Sequence, residues 1–116
     1  MEIKDGLYHK EVYMPAYRLP DKDIKVKYSE HALQQAYYER YDIIDLKDSY
    51  NFSKAEIIEL EVKHGQAVKM VARFDYNNKY DLIIVIIPQT KVIKTVWLNK
   101  KNDKHTTLNR DRYNKG

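Results

Sequence analysis

The sequence predicts an α+β domain in which an N-terminal arm and one helix pack on an antiparallel β-meander of about four strands. Three observations predict it. Apolar residues recur at helical spacing within residues 29–41, and from residue 55 onward they alternate with polar residues as in strands. The chain has 116 residues and no cysteine, which fits one domain and excludes a disulfide framework or a thiolate zinc site.

Residues 1–22 are predicted to form an extended arm, because Pro15 and Pro20 disfavour helix there. Apolar residues alternate with lysines over 24–28 and predict a short edge strand. Ser29 then stands as an N-cap for a helix over 29–41. The packing face of this helix is predicted to hold Ala32, Leu33, Ala36 and Tyr37.

The sheet is predicted over residues 55–99. A first strand places Ile58, Leu60 and Val62 inward, with Glu59 and Glu61 on a solvated face. A turn follows at His64-Gly65. The inward face of the second strand is predicted to consist of Val68, Met70, Ala72, Phe74 and Tyr76. A hairpin turn is predicted at Asn77-Asn78, a central strand covered on both faces over 80–87, and a last strand over 92–98.

Positive charge is concentrated in residues 91–116, which contain eight Lys or Arg and two acidic residues and so have a net charge of +6. The other residues hold thirteen basic and fifteen acidic side chains, a balance of −2. A basic C-terminal loop or tail over 100–116 therefore indicates a polyanion or an acidic surface as partner. The longest apolar run, 82–87, is far shorter than the ~20 residues of a membrane helix. We expect a cytoplasmic protein with no membrane contact.

The strongest candidate for proton transfer is His105, which has Asp103 and Thr107 close by in the sequence. His31 is the second candidate, since a histidine in the first helical turn favours its neutral form and can act as a base. A packed or simply exposed histidine is an equally good interpretation of His31. His9 and His64 are interpreted as surface histidines.

Arg73 is predicted to bind phosphate, because its planar guanidinium can hold two phosphate oxygens from the sheet face opposite Met70. The alternative is a solvated strand arginine. Trp97 is interpreted as a core residue. The residues predicted to bind substrate are Asp103, Thr107, Thr95, Lys69, Lys101 and Arg110. No His and carboxylate cluster has metal-ligand spacing and no glycine-rich phosphate loop is present, so neither metal nor cofactor is expected.

Two stretches carry a resemblance to a known family. The segment YSEHALQQAYYERYDI resembles the Ser-x-His-Ala helix opening of toxin-like domains in the barnase, EndoU, colicin and RelE ribonuclease superfamily. The segment VIKTVWLNKKNDKHTTLNRDRY resembles the last strand and Asp-x-His-x-Thr-Leu tail of related toxin and phage proteins. The resemblance implies a metal-independent endoribonuclease that cleaves RNA by attack of the ribose 2′-hydroxyl, with a cognate antitoxin or immunity protein as a further partner.

An alternative function is a phage or mobile-element protein that binds nucleic acid or a host protein through its basic C-terminal surface without catalysis. Gln35 and Glu39 stand where the helix of the family carries arginines, which favours this alternative. The Asp103, His105 and Thr107 cluster favours the enzyme. An antitoxin-like chain that folds only against a partner is disfavoured by the continuous apolar strand at 82–87.

Overall fold

The computed structural model describes residues 4–10, 19–39 and 43–102, and in these ranges the chain is α+β with one helix and a mostly antiparallel sheet. The helix is α1 (Glu30–Tyr37), and a short 3-10 turn spans Phe52–Lys54. The strands, in chain order, are β1 (Gly6–His9), β2 (Ile24–Lys25), β3 (Lys27–Tyr28), β4 (Ser49–Tyr50), β5 (Glu56–Lys63), β6 (Gln66–Asp75), β7 (Tyr80–Ile87) and β8 (Val92–Lys100).

Within the described residues, the main sheet has six strands in the order β1-β5-β6-β7-β8-β3, and β2 pairs with β4 in a separate ribbon. Its centre, β5 to β8, is an antiparallel meander like the one predicted, but β1 and β3 add an edge strand on each side. The prediction of about four strands was therefore too small. β1 lies inside the predicted arm, whereas β2 and β3 lie within the short edge strand predicted over 24–28, and β3 pairs with β8 in parallel. A strand of four residues such as β1 is too short to show a clear period in the sequence.

Helix α1 begins where predicted and ends earlier. Ser29 is the N-cap, and its Oγ accepts a hydrogen bond from the Ala32 N–H at 3.0 Å. The helix stops at Tyr37 rather than at residue 41. The carbonyl of Ala36, which would accept from the next helical turn, accepts instead from the Ile44 N–H at 2.9 Å. Ile44 is only 4% exposed and belongs to the core, and its burial favours the end of the helix at Tyr37.

The same helix protects the edge of β8. The Ser29 hydroxyl donates to the Lys94 carbonyl at 3.0 Å, and the Glu39 carboxylate accepts from the Leu98 N–H at 2.9 Å. β3 pairs with β8 only at Val92 and Ile93, so side chains from and beside α1 continue the hydrogen bonding along the strand.

Replacing Ser29 by alanine should therefore lower the free energy of unfolding by about 1–2 kcal/mol, since the helix loses its cap and β8 loses a donor. Urea unfolding measures the change. Ser29→Asp is the matched control, because it restores the cap but cannot donate to the Lys94 carbonyl, and it should recover only part of the loss. Full recovery by Asp would contradict a role for the bond to β8.

Two apolar clusters lie on opposite faces of the sheet. The cluster under α1 contains sheet residues such as Leu60, Met70, Ala72, Leu82 and Ile84. The cluster on the other face consists of Ile58, Val71, Ile83, Val85 and Trp97. β7 contributes to both, as predicted for a central strand, and its residues Leu82 to Ile86 are at most 2% exposed. Trp97 is 3% exposed, which confirms its interpretation as core.

A bulge in β5 overturns part of the predicted strand pattern. The pairing with β6 shifts between Ile57 and Glu59, so Ile58 joins the cluster opposite α1 instead of lying with Leu60 and Val62. Glu59 is buried, 3% exposed, whereas the alternation predicted a solvated face. The predicted turns are confirmed: His64 and Gly65 both have positive φ, and the Asn77 side chain accepts from the N–H groups of Lys79 and Tyr80.

Candidate functional site

The structure describes five of the nine predicted site residues. They are His31, Lys69, Arg73, Thr95 and Lys101. The predicted residues Asp103, His105, Thr107 and Arg110 lie outside the described residues.

Arg73 and Lys69 occupy the sheet face opposite α1, as predicted. The register pairs Arg73 with Ile83 and Ile83 with Trp97, and both partners belong to the cluster on that face. Thr95 pairs with Val85 and shares the face, but it is only 3% exposed. A hydroxyl so deeply buried is poorly placed for the substrate contact predicted for it.

Arg73 belongs to a network of ion pairs at one end of this face. Its Nε donates to Asp81 Oδ2 at 2.7 Å, and its Nη2 donates to the Lys100 carbonyl at 3.2 Å. The second oxygen of Asp81 lies 2.6 Å from Lys101 Nζ, which also contacts Asp75. The side chains of Arg73 and Asp81 are 9% and 16% exposed, so the pair is largely removed from water. A phosphate binding to Arg73 must share the guanidinium with Asp81.

The network sets the charge of its members. Burial alone would raise the pKa of Asp81, but the hydrogen bonds from Lys101 and Arg73 outweigh it and lower that pKa. Hydrogen bonds to Asp75 and then to Asp81 raise the pKa of Lys101. Asp81 and Lys101 are therefore ionised near neutral pH, and the network joins two basic to two acidic side chains.

Lys69 lies apart from this network although it shares the face and the strand. Its Nζ is 3.9 Å from Glu59 Oε1 and 4.0 Å from Glu61 Oε1. Four residues along a strand separate it from Arg73 by about 13 Å. Lys69 and Arg73 contact different carboxylates, and the structure does not bring these two predicted residues together.

His31 lies in the first turn of α1, on the element that packs along β8. Its Nε2 is buried and has no hydrogen-bond partner within the part of the chain that the structure describes. None of the described hydrogen bonds or ion pairs links it to Arg73 or Lys101. A histidine acts as a base through a ring nitrogen that reaches the proton, so the buried Nε2 of His31 needs a ligand or a rearrangement that brings the two together.

A basic groove of about 360 Å³ adjoins the network, where the β6–β7 turn meets the end of β8. We use this name for the groove lined by Lys79, Tyr80, Lys100 and Lys101, with Asn78 and Asn102 beside them. The Lys101 N–H donates to the Lys79 carbonyl at 2.9 Å, and Tyr80 pairs with Lys100, so backbone contacts hold the lysines together. Three cations within one groove are suited to bind anionic oxygens.

Lys101 was predicted, but Lys79, Tyr80 and Asp81 were not. The signal for Asp81 was present, since a lone carboxylate directly before six apolar strand residues requires a partner when the strand is buried. The signal for Lys79 was the hairpin register, because a turn at residues 77–78 brings it beside the end of the last strand.

Over residues 4–10, 19–39 and 43–102, no helix is long and apolar enough to cross a membrane. In the same ranges, no three His, Asp or Glu side chains are grouped so that they could hold a metal ion. Comparisons with protein-family models, with curated proteins and with solved structures found no match to this chain.

Proposed function

We propose that the chain binds RNA in the basic groove and cleaves it as a metal-independent endoribonuclease. The observation that carries the proposal is the groove itself, in which three lysines surround Tyr80 beside the Arg73 network. Lysines bind phosphate oxygens, and an aromatic ring offers a surface on which an unpaired base stacks. This pairing of cations with an aromatic ring is typical of sites for single-stranded nucleic acid.

The proposed reaction starts with attack of a ribose 2′-hydroxyl on the adjacent phosphate. It needs a base for the hydroxyl proton, an acid for the leaving oxygen and cations for the charge that develops on the phosphoryl oxygens. We assign proton transfer to His105 and charge stabilisation to Arg73 with Lys101. His31, the second candidate for proton transfer, lies on α1 at the other face of the sheet from Arg73, so its part in the reaction requires a rearrangement that exposes Nε2. Asp103, Thr107 and Arg110 follow the groove in the sequence and are proposed to contact the substrate.

The resemblance of residues 28–43 and 92–113 to the ribonuclease toxin superfamily supports the same proposal. A cytoplasmic site of action follows from an RNA substrate. A cognate antitoxin or immunity protein is proposed as the partner that would keep such an activity in check.

A second candidate function is nucleic-acid or host-protein binding without catalysis. It is favoured by the pairing of Arg73 and Lys101 with Asp81, which neutralises the cations that a catalytic phosphate site would use. Incubation of the purified protein with labelled total RNA in the presence of a chelator separates the two functions. Discrete cleavage products support the enzyme, and tight binding without products supports the binding protein.

Charge reversal in the basic groove should weaken RNA binding. The double substitution Lys79→Glu and Lys100→Glu removes two phosphate contacts, so the slope of log affinity against log salt should fall by about 1.4 for a single strand. We expect affinity at low salt to fall at least about tenfold, measured by fluorescence anisotropy with a labelled single-stranded RNA.

The matched control is Lys91→Glu with Lys94→Glu, two exposed lysines at the opposite end of the β7–β8 hairpin. This variant carries the same change in net charge and should retain most of the affinity and the original slope. Equal losses in both double variants would show that total charge, rather than the groove, determines binding.

A further inference from the structure

A second groove, of about 350 Å³, lies next to the basic groove. We call it the aromatic groove. Its lining includes two rings, two lysines and two carboxylates, which are Tyr50, Phe74, Lys47, Lys54, Asp23 and Asp75. A groove with this mixture offers an apolar surface, cations and hydrogen-bond acceptors at the same place.

The rings of the aromatic groove are fixed by packing. The Tyr50 and Phe74 centroids are 5.2 Å apart with an interplanar angle of 44°, and Phe52 packs on Phe74 at 5.3 Å. Tyr50 is 6% exposed, whereas Phe74 is half-buried and presents the accessible part of the surface. A base that stacks on Phe74 therefore meets a ring that is already held in place.

Lys47 is held by its backbone. Its N–H donates to the Tyr50 hydroxyl at 3.1 Å, and its carbonyl accepts from the Tyr28 hydroxyl at 2.5 Å. Lys54 ends the short 3-10 turn beside it. Both side chains are exposed, so two cations stand at the rim of the aromatic ring without being buried in the core.

The two grooves share a border. Lys101 lines the basic groove, and its Nζ contacts the carboxylate of Asp75, which lines the aromatic groove. Asp75 is thus paired with Lys101, and the other charged side chains of the aromatic groove are Lys47, Lys54 and Asp23, with Asp21 near Lys54.

We infer that the aromatic groove is a further nucleotide subsite, which binds a nucleotide of the same single-stranded RNA beyond the two whose phosphates the basic groove holds. Lys47 and Lys54 bind its phosphate, Phe74 stacks on its base, and Asp23 accepts a hydrogen bond from an exocyclic amino group such as cytosine N4. The inference rests on the proposed function and extends it, since it sets the minimum length of RNA that binds fully.

The test compares labelled oligocytidylates of two and six nucleotides by fluorescence anisotropy, using the full chain. The wild-type protein should bind the hexamer at least about tenfold more tightly than the dimer. The double substitution Lys47→Glu and Lys54→Glu should remove most of this gain, with dimer binding at the basic groove changed less than about threefold. Circular dichroism and a thermal melt confirm that this variant is folded, as expected for two exposed side chains.

The control is again Lys91→Glu with Lys94→Glu, which should keep the gain from dimer to hexamer. A Lys47→Glu and Lys54→Glu variant that binds the hexamer as the control does would overturn the further subsite and leave the basic groove as the RNA site. If the wild-type protein binds neither the dimer nor the hexamer, the proposed function and this inference are overturned together.

Discussion

Replacing Asp81 by alanine should lower the free energy of unfolding by about 3 kcal/mol, because it removes the carboxylate from a largely buried arginine. Arg73 is 9% exposed on its side chain, and Asp81 receives bonds from both Arg73 and Lys101. Urea unfolding followed by circular dichroism measures the loss. Asp75→Ala is the matched control, since Asp75 contacts the same Lys101 but its side chain is 83% exposed. The control should cost less than about 1 kcal/mol.

The effect of Asp81 should depend on pH with a defined sign. Its pKa is raised by burial but lowered further by Lys101 and Arg73, so the folded state binds its proton less readily than the unfolded chain. The stabilisation is complete above the unfolded pKa of about 3.9 and is lost as the pH falls through the lowered folded pKa. The difference between wild type and Asp81→Asn should therefore be constant near neutrality and shrink below about pH 4. A difference that grows as the pH falls would contradict this network.

The central sheet could be predicted because its residues carry a strong period. The continuous apolar run of β7 requires cover on both faces, and the alternation in β6 separates Met70 and Ala72 from Arg73. The edge strand β3 lies within the short strand predicted over 24–28, but the edge strand β1 could not be predicted in the same way. β1 contributes only four residues and pairs with β5 from far away in the sequence, so its pairing depends on tertiary packing. The β5 bulge likewise leaves no mark in the alternation of Ile58 with Glu59.

Sequence reasoning predicted only those features of the candidate site that depend on strand register alone. Register determines the face of Arg73, but it does not reveal that Asp81 holds the guanidinium or that Thr95 is buried. Lys69 and Arg73 were assigned to one substrate because they share a face. They lie four residues apart along β6 and contact different carboxylates. The aromatic groove arises from segments distant in sequence, such as those of Lys47 and Asp75, whose proximity no short motif encodes.

The largest effect is expected at His105, where replacement by alanine should slow RNA cleavage by about 10²–10⁴-fold. A proton-transfer group contributes to the transition state and little to ground-state binding, so affinity for RNA should stay within about threefold of wild type. Single-turnover cleavage of labelled RNA measures the rate, and anisotropy measures the affinity. His64→Asn is the control, because asparagine tolerates the positive φ of this turn, and it should keep the wild-type rate.

The pH profile decides whether His31 works with His105. Two proton-transfer groups produce a bell-shaped dependence of rate on pH, and His31→Ala should then remove one limb while His105→Ala lowers the whole profile. The buried Nε2 of His31 has no partner within the described residues, so a substrate that bonds to it would satisfy an unpaired polar group and strengthen this role. Full activity in both histidine variants would contradict the proposed mechanism. RNA binding in the basic groove without cleavage by the wild-type protein would instead support the binding function.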